Sequence, residues 1–377
     1  MGKKKDSLEL YFHIPFCIKK CDYCDFLSGP ATRVGQEAYI YALLREMKAV
    51  SAIEKRTVDT VFIGGGTPSV PECGIMEKLL QGIGKNFQLA ADAEVTIEAN
   101  PGTLTPEKLA LYRRYGINRI SIGLQSPENQ ELRALGRIHN YQQFLESYHM
   151  AREAGFSNIN IDLMFAIPGQ SYEGWIQNLR TVAKLGPEHI SAYSLIIEEG
   201  TPFSARKLDL PDEDTEYRMY EDVAAVLGKY GYYQYEISNY AKKDRNCRHN
   251  EGYWQRKDYL GLGLGAASLV GRERFTNTSD MSEYLENSGN LEKIRTDRET
   301  LTREDEMGEF MFLGLRMTKG VSKKDFQEYF GTSIEKIYGE VLEKYKKQGL
   351  LLEEDGRICL SRAGIHVSNA VMADFLL

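Results

Sequence analysis

The chain has 377 residues, 42% hydrophobic and 27% charged, with a formal net charge of −7. That length exceeds what one compact domain commonly holds, and that composition is ordinary for a globular protein, so a large unit with a smaller partner is expected. The acidic balance argues against a protein that tracks nucleic acid, and no run of roughly 18 apolar residues marks a membrane span.

At the start, Met1-Gly2 offers no acylation pattern, because Asp6 stands where Ser or Thr is wanted. No secretory apolar core follows, and Lys3-Lys4-Lys5 reads as a short solvated head. The expectation is a cytoplasmic protein with at most transient membrane association. Its six cysteines do not suit a disulfide framework. Cys17, Cys21 and Cys24 crowd together while Cys73, Cys247 and Cys359 are scattered. In a cytosolic chain such a cluster points to metal or redox chemistry.

From Leu8 onward one pattern repeats: a β-branched or aromatic run, a turn, then a polar segment of helical period. The runs are Leu8–Ile14, Thr60–Ile63, Glu94–Ala99, Arg119–Gly123, Asn158–Met164 and His189–Leu195. Helices are predicted near 36–54, 72–86, 105–115, 128–154, 171–185 and 213–230. Alternating strand and helix implies a parallel sheet with right-handed crossovers. Six units are too few for a closed eight-fold barrel, so residues 1–230 read as an α/β fold, an open partial (β/α)6 barrel. Residues 231–300 are richer in Tyr, Gly and β-formers and read as a β/loop extension that completes the site. It holds His249-Asn250-Glu251-Gly252-Tyr253-Trp254 and Gly261-Leu262-Gly263-Leu264-Gly265, and ends in a charged, loop-like stretch from about 284. Residues 301–377 read as a smaller C-terminal helical, winged-helix-like domain, with helices near 303–317, 322–330 and 333–348 and a hairpin at Glu354–Gly356. No basic recognition helix stands out in it, so packing or covering is its expected role.

Functional residues of a βα barrel gather at the C-terminal ends of its strands. The first predicted strand leads to Cys17-Ile18-Lys19-Lys20-Cys21-Asp22-Tyr23-Cys24, the second to Gly64-Gly65-Gly66-Thr67-Pro68. The third ends at Glu98-Ala99-Asn100-Pro101, the fourth at Gln125-Ser126, and the fifth carries Asp162 ahead of Pro168-Gly169. Three thiolates in one loop hold three irons of a cubane and leave the fourth open, since such clusters normally use four cysteines. A zinc site completed by His13 or Cys73, or three unlinked thiols, are the rival readings of the same residues. The glycines of Gly64–Pro68 let backbone groups approach the amino and carboxylate groups of a ligand, or form an ordinary turn with Pro68 opening a helix. Glu98, Gln125, Arg137 and Asp162 suit ribose hydroxyls and adenine edges, or are strand-end hydrogen-bonding residues.

Taken together these residues resemble the radical S-adenosylmethionine superfamily, with its three-cysteine motif and its glycine-rich methionine loop. Tyr11-Phe12-His13-Ile14-Pro15-Phe16-Cys17, Gly64–Pro68 and Gly136-Arg137-Ile138-His139 look like the branch of oxygen-independent coproporphyrinogen III dehydrogenase, over nearly the whole chain. The resemblance implies a [4Fe–4S] cluster on Cys17, Cys21 and Cys24. It implies S-adenosylmethionine on the open iron, contacted by Tyr11, Gly65, Gly66, Thr67 and Glu98. Gln125, Arg137 and Asp162 match positions that the dehydrogenase uses for a second such molecule.

That branch holds true dehydrogenases of porphyrin biosynthesis and heme chaperones. The dehydrogenase carries a further cysteine two residues after the third, where this chain has Phe26, and a long N-terminal extension, where only 16 residues precede Cys17 here. The HNxxYW motif at His249–Trp254 is typical of the chaperones. On that resemblance heme is the cargo, with His249 as axial ligand, Cys247 as its rival, and Tyr253 and Trp254 stacking on the macrocycle. The implied partners are heme-receiving respiratory proteins at the membrane and, in a homodimer, a second copy. The alternative is decarboxylation of coproporphyrinogen III. A methyltransferase is a remote third reading, for which Cys73 is the one candidate nucleophile on the barrel.

Overall fold

The computed structural model describes residues 7–376, so the readings of Met1-Gly2 and Lys3-Lys4-Lys5 lie outside the described residues. Six parallel strands stand side by side in chain order: β1 (Ser7–Ile14), β2 (Thr57–Gly65), β3 (Leu89–Ala99), β4 (Arg119–Gln125), β5 (Ile159–Phe165) and β6 (His189–Ser194). Helices follow each, as the alternating pattern requires. In β4 the outward residues Ile120, Ile122 and Leu124 are fully buried beneath the helices, while Arg119, Ser121 and Gly123 alternate onto the inner face. The same period puts Glu9, Tyr11 and His13, then Thr60, Phe62 and Gly64, then Glu94, Thr96 and Glu98 inside.

The sheet does not close. Beyond β6, β8 (Asn239–Ala241) pairs antiparallel with it, and β7 (Tyr233–Gln234) pairs with β8. On the other side β9 (Tyr259–Leu262) adds parallel to β1, followed by antiparallel β10 (Ala267–Val270), β11 (Glu273–Asn277) and β12 (Arg295–Thr300). The charged stretch expected to be loop-like thus ends in an edge strand. Exposed Asp297, Arg298 and Glu299 on it discourage further pairing.

A second difference lies in the predicted helix 128–154. It is two helices, Asn129–Ala134 and Tyr141–Glu153, separated by Gly136 at φ 74°. Asn140 and Gln143 form a capping box that restarts the chain, so Arg137 projects from a loop rather than a helix face.

The C-terminal unit packs Met311, Phe326, Ile334, Ile358, Val371 and Phe375 into its own buried cluster. Helices Arg303–Gly314, Lys323–Phe330 and Ile334–Lys347 and the predicted hairpin are present, joined by a third short strand, Val321–Ser322. Glu309 binds Arg256 at 2.7 Å and also Arg274, tying this unit to the extension. Among the described residues no helix is long and apolar enough to cross a membrane.

Candidate functional site

At the C-terminal ends of the strands the loop after β1 folds back on itself. Cys17 N–H donates to Gly29 O at 3.0 Å, and Gly29 N–H to Pro15 O at 3.0 Å. The β2 loop grips it from the side. Gly66 N–H reaches Ile14 O at 2.9 Å and Thr67 N–H reaches Phe16 O at 2.6 Å. That grip explains the glycine: a Cβ on Gly66 would stand 2.7 Å from Phe16 O. The loop after β4 holds the far end through Asp22 N–H to Leu135 O at 3.2 Å. Cys17, Cys21 and Cys24 are all free thiols and partly exposed at this mouth.

Around them stand the other rim residues. Glu98 Oε2 accepts from Gly65 N–H at 3.1 Å. Burial pushes its carboxyl up to about 8, and the nearby Asp162 charge adds to the rise. Asp162, opposite Gly123 of β4, is bound to Ser121 Oγ at 2.9 Å and Asn160 Nδ2 at 2.8 Å, and burial raises it too. Gln125 ends β4 at φ 71° beside a register shift. Tyr11 donates to His13 Nδ1 at 3.0 Å, and His13 Nε2 donates to Leu27 O at 2.9 Å. Both His13 nitrogens are thereby engaged. Among the described residues no three His, Cys, Asp or Glu side chains, the three cysteines included, are drawn together as the ligand set of one metal ion.

His249, Tyr253 and Trp254 are elsewhere. Their segment is a short helix, Arg248–Trp254, not a loop, and it closes the opposite end of the barrel. Thr60 Oγ1 meets His249 Nδ1 at 2.7 Å, Tyr253 OH meets Nε2 at 2.9 Å, and Phe62 stacks on the ring at 5.2 Å. Thr60 lies five residues before Gly65 on β2, roughly 16 Å along the strand. Burial drives the imidazole down to about 3, so it is neutral. Glu94, inside the barrel, caps this helix, accepting from Arg248 N–H and His249 N–H at 3.2 Å each. Trp254 turns outward to the C-terminal unit, under the Arg316 guanidinium at 4.3 Å. Cys247 is fully buried beside Glu94.

Glu9 faces the same helix and was not singled out by any motif. It is 1% exposed, and neither carboxyl oxygen meets a hydrogen-bond donor among the described residues. Gly252 packs on it so closely that a Cβ would sit 1.9 Å from Oε1. Burial pushes this carboxyl from 4.5 to about 8. The folded state therefore holds a proton that the unfolded chain has already released. Stability is full below about 4.5 and falls as pH rises towards about 8. Glu9→Gln is expected to flatten that decline, by on the order of a few kcal/mol at the alkaline end, in urea melts run across the pH window. An unchanged pH slope would contradict it.

The chain matches the Radical SAM superfamily over residues 11–182 and the HemN C-terminal domain over residues 301–367. It is 36% identical to the heme chaperone HemW of Bacillus subtilis (strain 168), over 97% of this chain and 98% of that one. The chain belongs to the HemW family. Heme chaperone HemW of Lactococcus lactis subsp. lactis is 38% identical over 97% of both chains, and that of Escherichia coli (strain K12) 38% over 93% of both. The radical SAM enzyme coproporphyrinogen III oxidase (HemN) of Escherichia coli shares the fold. It superposes with a TM-score of 0.88 over all of this chain and 91% of its own, at 23% identity. The HemW family membership accounts for the α/β barrel and the C-terminal domain together.

Proposed function

We propose that this chain is a heme chaperone that carries a [4Fe–4S] cluster and S-adenosylmethionine. The observation that carries the reading is the near-complete match to relatives named heme chaperone HemW. Superfamily membership implies the cluster and S-adenosylmethionine, and the donor set fits both. Three free thiols share one loop at an open mouth, which suits a cubane whose fourth iron is left for the ligand. Glu98, half-buried beside Gly65 N–H, makes no ion pair among the described residues, which suits a ligand ammonium. Bound there, the pair supplies one-electron cleavage of a sulfonium.

On this reading Cys17, Cys21 and Cys24 ligate the cluster. Tyr11, Gly65, Gly66, Thr67 and Glu98 hold S-adenosylmethionine, and Gln125, Arg137 and Asp162 extend that site inward. His249 is the axial heme ligand, with Tyr253 and Trp254 beside the macrocycle. Both His249 nitrogens are occupied while this helix is docked on the sheet, so ligation requires the helix Arg248–Trp254 to swing out. Respiratory enzymes at the membrane receive the heme. Phe26, in place of the dehydrogenase cysteine, is 59% exposed at the mouth among exposed Ile18 and Leu27, at the end of the barrel opposite His249.

The test is an anaerobic heme titration of the cluster-loaded chain, followed by transfer to an excess of apo-myoglobin. One heme per chain, recovered in full by the acceptor, is expected. Heme bound only in non-saturating, nonspecific fashion would overturn the chaperone reading.

A further inference from the structure

The sulfurs at the mouth are held by more than their own loop. Arg137 Nη2 donates to Asn100 Oδ1 at 2.7 Å and to Gly123 O at 2.6 Å, while Nη1 points at Cys21 Sγ, 3.6 Å away. Asn100 Nδ2 donates to Thr67 Oγ1 at 2.7 Å, and Thr67 Oγ1 lies 3.5 Å from Cys17 Sγ.

The direction of every bond follows from one end. A guanidinium only donates, so the Asn100 atom it meets is the carbonyl oxygen. The amide nitrogen then faces Thr67 and can only donate. Thr67 Oγ1 accepts that bond, and its single proton is left for Cys17 Sγ. Asn100 therefore sets two donors at once, one on each of two cysteine sulfurs. The period-two alternation that turns Glu94, Thr96 and Glu98 inward along β3 carries on to Asn100, the residue just past its end.

We propose that Asn100 is a positioning residue of the cluster, which orients Arg137 and Thr67 so that Cys17 and Cys21 accept hydrogen bonds that raise the cluster's reduction potential. This rests on the cluster reading above. Reduction adds negative charge that the cluster spreads onto its sulfurs. A donor aimed at sulfur stabilises the reduced form more than the oxidised one. Asn100 Oδ1 and Gly123 O, together with the Tyr23 hydroxyl, fix the guanidinium at the sulfur. Without the amide, Thr67 is free to turn its hydroxyl away.

The experiment is a redox titration of the anaerobically reconstituted full chain, with mediators and without S-adenosylmethionine, read by the EPR signal of the reduced cluster. In Asn100→Leu the ratio of reduced to oxidised cluster at a fixed potential is expected to fall about tenfold, a downward shift of about 59 mV for one electron. Asn100→Asp is expected to fall further, because its carboxylate accepts the Thr67 hydroxyl's hydrogen bond, draws it away from Cys17 and adds negative charge. Thr67→Val, which removes the Cys17 donor alone, is expected to shift the same way by less. An unmoved potential in Asn100→Leu and Thr67→Val, each with four irons bound, would overturn the proposal.

Should Asn100→Leu not hold its cluster, the unmutated protein decides. Exchange into D2O is expected to put deuterons strongly coupled to the reduced cluster into its ENDOR spectrum, and their absence would overturn the proposal. Iron and sulfide analysis of the unmutated chain separates the two levels. Fewer than four irons there would refute the cluster reading itself, before Asn100 enters.

Discussion

Replacing Cys17, Cys21 or Cys24 by Ala is expected to abolish the four-iron cluster while leaving the chain folded. The three thiols lie partly exposed on a loop at the mouth, outside the buried core. The loop's shape comes from backbone bonds to Gly29, from the β2 loop and from Leu135, none of which uses a sulfur. Truncation of such a side chain costs about 1 kcal/mol or less in the apo protein. A cubane left with two protein thiolates, by contrast, loses a ligand that nothing nearby replaces, because both His13 nitrogens are engaged. Iron and sulfide content should drop to background in each variant, with circular dichroism and melting close to the parent. Cys247→Ala is the control, since that thiol is buried at the other end beside Glu94. Four irons retained in all three mouth variants would refute the ligand assignment.

The second large effect concerns heme. If the helix Arg248–Trp254 must leave the barrel for His249 to reach iron, the bonds that keep it in are part of the binding equilibrium. Each of the two imidazole bonds is worth about 0.5–1.5 kcal/mol. Thr60→Val with Tyr253→Phe removes both, keeps the volume and keeps the aromatic ring. Together they are expected to tighten heme binding about tenfold by raising the open fraction. His249→Ala is expected to weaken heme binding and shift the Soret band, with the cluster intact. Direct titration checks both. Heme affinity and spectrum unchanged in His249→Ala would remove it as the ligand and make it a structural plug.

The barrel was legible because its strands carry a strong local signal. Apolar residues alternate outward beneath amphipathic helices, and chemistry-bearing residues end each strand. The cysteine loop, Gly64–Pro68, Glu98 and Asp162 were found that way, and the structure brings them to one end. Arg137 was named from its motif, yet its loop was hidden in a predicted helix. Gly136 and the Asn140–Gln143 pair are the local signals of that break. The motif around His249 looked like a loop because its glycine and polar residues suit one. What makes it a helix is non-local: the Glu94 carboxylate caps it, and Glu9 fits against Gly252. No periodicity within residues 231–300 carries that information. Asn100 was one inward step beyond Glu98, and only its three-way bonding marks it out.

On the proposed function this chain carries heme rather than making its precursor. That is tested most directly by anaerobic incubation of the chain, holding four irons, with coproporphyrinogen III, S-adenosylmethionine and a strong reductant. No decarboxylated product above the Cys24→Ala background is predicted. Product formed at catalytic turnover would contradict the account and make the chain a dehydrogenase.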